Sequence, residues 1–97
     1  MKSLFKTGVL MMTRSVMKKT TEDKQYNNFV TNSIGRHLSG DWGDVSENDK
    51  QSNNDSVLNG NDMICSKYIY APDTSLNIFI ITDADRKHTT VLFPSEY

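Results

Sequence analysis

Residues 63–82 read Met63-Ile64-Cys65-Ser66-Lys67-Tyr68-Ile69-Tyr70-Ala71-Pro72-Asp73-Thr74-Ser75-Leu76-Asn77-Ile78-Phe79-Ile80-Ile81-Thr82. Two runs rich in β-branched and aromatic residues, Met63–Tyr70 and Asn77–Thr82, flank a turn composition, Ala71-Pro72-Asp73-Thr74-Ser75, so the stretch predicts two strands. Ile78–Ile81 is apolar at every position, as expected of a central strand covered on both faces or nearly so. Downstream, Asp83-Ala84-Asp85-Arg86 predicts another turn, and Thr89–Phe93 a last strand that Pro94 stops.

Upstream, the pattern changes to helical. Tyr26, Phe29, Val30, Ile34, His37 and Leu38 recur at steps of three and four, giving one apolar stripe on a helix of about 22–38 opened by Thr21 with Glu22 and Asp23. Arg36 and His37 sit in its last turn, where cations suit the helix dipole, and Ser39-Gly40 ends it. Thr13 predicts an N-cap for a short helix over 14–19. Ser46 with Asp49 three residues on opens a polar helix, roughly 47–59, anchored only by Val57 and Leu58. Residues 4–12 read as a strand weakened by Gly8. The expected fold is one small α+β domain over 1–97, with residues 1–3 disordered. Its sheet is antiparallel, of three or four strands, with the helices on one face.

The 97 residues include 11 basic and 12 acidic side chains, and mean hydropathy is −0.57. The near-neutral sum hides an asymmetry: residues 1–38 carry a net +5 and residues 39–97 a net −6. No apolar run approaches the ~18–20 residues of a membrane span. Lys6, Thr7 and Gly8 interrupt any secretory leader. The lone Cys65 closes no disulfide within the chain. A cytosolic location, with no membrane partner, is the expectation.

Candidate chemistry is sparse. His37, Asp41 and Asp44 lie within eight residues and, with His88, offer a zinc-type ligand set, although no CxxC or HExxH spacing accompanies them. Asp83 and Asp85 are the pair that a Mg²⁺-dependent nuclease would use; the plainer account is a salt-bridged turn. Cys65 reads as a packing group within a strand. Trp42 sits between Asp41 and Gly43, and a structural plug with its indole N–H hydrogen-bonded is favoured over an exposed binding anchor. A sequence pI near 6.0 and the acidic stretch 39–62 argue against direct nucleic-acid binding. Carboxylates Asp44, Glu47, Asp49 and Asp55 are instead expected to meet basic groups on a protein partner, against the plainer reading of a solvated helix face.

Two strings carry a resemblance: Arg36-His37-Leu38-Ser39-Gly40-Asp41-Trp42-Gly43-Asp44, and Ile80-Ile81-Thr82-Asp83-Ala84-Asp85-Arg86 followed by Thr89-Thr90-Val91-Leu92-Phe93-Pro94-Ser95-Glu96-Tyr97. With Asp49-Lys50 and Asn53, they resemble a family of short bacterial proteins carried on plasmids, phages and conjugative elements, often labelled plasmid-related. The family brings no activity that transfers residue by residue. The resemblance implies a non-enzymatic protein, without an obligatory cofactor, that inhibits a host defence complex, with anti-CRISPR proteins as the leading class and a CRISPR effector as the partner. It also implies that Arg36, Asp41, Trp42, Asp85 and Arg86 form a polar network pinning the 39–46 turn to the sheet. A zinc-binding domain and a Mg²⁺-dependent nuclease are the alternatives.

Overall fold

A computed structural model describes residues 3–97. The expected disorder of residues 1–3 falls, for Met1 and Lys2, outside them. In chain order the elements are strand β1 (Val9–Met12), helices α1 (Arg14–Glu22), α2 (Lys24–Leu38) and α3 (Glu47–Asn59), then strands β2 (Ile64–Tyr68), β3 (Ile78–Thr82) and β4 (His88–Leu92). The α+β class is as the sequence predicts. The four strands form one sheet in the order β1-β4-β3-β2.

Two architectural expectations are corrected. The sheet is mixed rather than antiparallel: β2, β3 and β4 pair antiparallel, while β1 joins β4 parallel, with Val9 opposite His88. The short β2–β3 and β3–β4 connections fold their strands back, whereas three helices separate β1 from its neighbour and free its direction. The helices also do not share one face. Val16 of α1 and Tyr26 and Val30 of α2 pack on Tyr68, Ile78, Ile80 and Val91, whereas α3 contributes nothing to that cluster. It lies against the outer edge of β2. The opposite face of the sheet, carrying Cys65, Lys67, Phe79 and Ile81, is covered near its end by the C-terminal Tyr97, whose ring stands edge-on to Phe79 at 5.9 Å.

Local chemistry explains the boundaries. Thr13 and Ser46 cap α1 and α3 through their hydroxyls as expected; α2 is opened by Asp23, whose carboxylate accepts the Tyr26 N–H, rather than by Thr21. Positive φ at Gly8 (+63°) ends the extended run, so β1 occupies only the second half of residues 4–12. Residues before the bend cross to α2, where the Leu4 N–H donates to the Leu38 carbonyl. No helix among the described residues is long and apolar enough to cross a membrane.

Candidate partner-binding groove

The segment after α2 is held along β2. Gly43 bridges Lys67 in parallel: the Lys67 N–H donates to Trp42 O (3.2 Å) and the Asp44 N–H to Lys67 O (2.8 Å). Gly43 takes φ +74°, and a Cβ there would lie 2.0 Å from Lys67 O, so glycine is required for this approach. Asn53 of α3 completes the seal. Its carboxamide accepts the Cys65 N–H and donates to the Cys65 carbonyl.

Between this segment, α3 and the uncovered sheet face lies a cavity of about 500 Å³. Asp44, Asp49 and Asp62 supply its carboxylates from three separate segments; Met63, Phe79 and Tyr97 supply apolar surface. Among the described residues Lys67 is its only basic side chain, and Cys65 lines it too. Burial, and then the charge of Asp49, push the Cys65 thiol up, which disfavours the thiolate. An anionic rim over an apolar lining matches a lysine or arginine side chain, whose stem is apolar and whose head is cationic.

The four expected partner-binding acids therefore separate. Asp44 and Asp49 line the groove. Asp55 lines a smaller neighbouring cavity of about 240 Å³ and accepts from Gln51 Nε2. Glu47 projects into solvent and pairs with Lys50 at 3.3 Å. Asp62, which shares both cavities, escaped the sequence reading because it follows the helix in a turn, where a carboxylate reads as local hydrogen bonding.

The expected metal set, His37, Asp41, Asp44 and His88, is not brought together, and no group of three potential ligands occurs among the described residues. His37 is fully buried, its Nδ1 hydrogen-bonded to Ser66 Oγ and its Nε2 2.9 Å from Thr82 Oγ1. Thr82 Oγ1 lies 2.8 Å from Thr89 Oγ1, which in turn donates to the Thr7 carbonyl. A carbonyl only accepts, so Thr89 gives its proton to Thr7, and Ser66 Oγ on the other side of the ring likewise has the Ile80 carbonyl at 3.5 Å; both ring nitrogens are hydrogen-bonded whichever carries the proton. Burial pushes the His37 pKa down to about 4. The expected helix-dipole cation is thus a neutral core residue, with both ring nitrogens occupied. Asp41 is chelated by Arg36, Nε–Oδ2 at 2.7 Å and Nη2–Oδ1 at 3.1 Å. His88 lies beside Asp83 at 3.6 Å, and Asp85 accepts the Lys87 N–H, so the proposed nuclease pair serves its own hairpin.

The expected single polar network is two. Arg36 and Asp41 form one, completed by the Tyr68 ring under the guanidinium (4.9 Å) and the Tyr68 hydroxyl donating to Asp41 O. Arg86 forms the other, donating to the carbonyls of Asp62, Asp83, Ala84 and Ser56, so it ties the β3–β4 turn to the end of α3. Trp42 belongs to neither: it is buried, its Nε1–H donates to Asn54 Oδ1, and its ring meets Phe5 and His37.

Compared with family models, curated proteins and solved structures, the chain matches none.

Proposed function

We propose that this chain is a non-catalytic binding protein whose groove receives a lysine or arginine of a protein partner. One observation carries the reading: Asp44 before α3, Asp49 in its first turn and Asp62 after its end all line one apolar-lined cavity. The occupied nitrogens of His37 and the raised Cys65 pKa support binding over nucleophilic chemistry. The resemblance to mobile-element proteins makes a CRISPR effector the first partner to test, because channels that hold nucleic acid are lined by lysine and arginine. Occupying such a channel would block nucleic-acid loading.

Target cleavage by purified effectors of several types, with and without excess protein, tests the specific reading. Inhibition by the native chain that is lost in Asp44→Lys/Asp49→Lys supports it. Unchanged cleavage throughout rejects the effector as partner. Capture of a host protein that the same double variant captures equally well rejects the groove.

A further inference from the structure

The two edges of the sheet are treated oppositely. On β2, the outward positions Cys65 and Lys67 are both satisfied, by Asn53 and by the Trp42–Asp44 segment. On β1, the Val9 and Thr13 N–H groups donate to the Lys87 and Val91 carbonyls of the β4 side. In a parallel ladder that alternation turns the N–H and C=O of Leu10 and Met12 outward. No backbone partner meets them among the described residues.

Apart from its length of four residues, the usual protections of an edge are absent among the described residues. Val9–Met12 holds no charge and no proline, and Val9, Leu10 and Met11 are 61%, 47% and 40% exposed. Natural edges of this kind are normally blunted or covered, since they template pairing. The residues that flank the strand are basic: Lys6 precedes it and Arg14 follows it, both exposed, whereas Lys87 before β4 shares its turn with Asp83 and Asp85. Of the acids nearby, Glu96 has its Oε1 engaged by Thr13 Oγ1 and the Phe93 N–H, and Asp83 and Asp85 are engaged by His88 and the Lys87 N–H.

We propose that the outer edge of β1 docks an extended, acid-bearing strand of a partner protein, which joins the sheet as a fifth strand. Backbone bonds to Leu10 and Met12 fix the strand, and Lys6 and Arg14 at its two ends select acidic side chains. Pairing with a second copy is disfavoured, because it brings together two N-terminal regions of net charge +5.

The test uses capped eight-residue peptides of alternating glutamate and valine, alternating lysine and valine, and the glutamate peptide with alternate amides N-methylated. Anisotropy at low salt should show the glutamate peptide binding at least tenfold tighter than either control. At saturation, the Leu10 and Met12 amides should exchange at least tenfold more slowly. Leu10→Pro removes an outward N–H and leaves the β4 ladder intact, so it should weaken binding tenfold or more. If that variant does not fold, Arg14→Glu serves, because an acid in the first turn of α1 suits the helix; it should weaken binding several-fold. Equal binding of the two charged peptides, no binding at millimolar concentration, or unchanged exchange at Leu10 and Met12 would overturn the proposal. A concentration-dependent dimer abolished by Leu10→Pro would also overturn it, in favour of a second copy.

Discussion

Asn53 stands to Cys65 as a neighbouring strand would: one carboxamide takes the N–H at 3.1 Å and gives to the C=O at 2.7 Å. A helix side chain thereby closes a sheet edge without a fifth strand. Asn53→Ala should leave both groups unpaired beneath α3 and cost about 2–3 kcal/mol in urea denaturation. Asn53→Asp keeps the acceptor but not the donor and should fall between. A loss under 0.5 kcal/mol for the alanine variant would show that water replaces the amide.

The buried imidazole predicts acid sensitivity. Unfolded His37 binds a proton near pH 6.5 and folded His37 near 4, so the unfolded state carries more protons between those values. Stability should therefore fall as pH drops from about 6.5 to about 4, by on the order of 3 kcal/mol. His37→Gln should flatten that segment of the curve. Asp41 acts in a lower window: Arg36 holds its carboxyl below the usual value, so its contribution is present above the ordinary aspartate range and is lost as pH falls beneath it. Denaturant midpoints between pH 3 and 7 check both.

Two glycines with similar dihedral angles should respond differently to alanine. At Gly60 the left-handed backbone (φ +68°) meets open space, so Gly60→Ala should cost roughly 1 kcal/mol from backbone preference alone. At Gly43 the added methyl runs into Lys67 O, and the bridge must open. Gly43→Ala should cost at least about 2 kcal/mol and disturb the groove. Equal melting temperatures for the two variants would contradict this.

Arg86 combines a left-handed backbone (φ 61°) with a side chain that donates to four carbonyls. Removal of the guanidinium should destabilise either variant, but Arg86→Gly recovers the backbone penalty and Arg86→Ala does not. The glycine variant should melt higher, by the equivalent of roughly 1 kcal/mol.

Much of the fold was legible because periodicity reports burial directly. The stripe through Tyr26, Val30 and His37 marks the inner side of α2, and the strands of 63–93 follow from β-branched and aromatic residues between turns. What escaped depended on partners distant in the chain. Nothing local to Val9–Met12 specifies a parallel neighbour at the far end of the sequence. Ser33, buried on α2, was missed because serine carries no apolar signal; it satisfies itself on the Phe29 carbonyl. The polar helix 47–59 has few apolar anchors in its sequence, and Asn53 holds it by hydrogen bonds rather than by apolar burial. Arg36 and Arg86 both read as partners for acids; Arg36 chelates Asp41, but Arg86 bonds carbonyls instead, an acceptor present at every residue and so invisible to charge pairing.

The parallel register of β1 on β4 also has a temporal side. On the ribosome, Val9–Met12 is made 79 residues before the segment it zips onto, His88–Leu92. At roughly 5–20 residues per second the nascent chain spends several seconds with that sticky stretch unmatched. Synthesis speed and chaperone supply should thus govern how much of this protein reaches its finished topology.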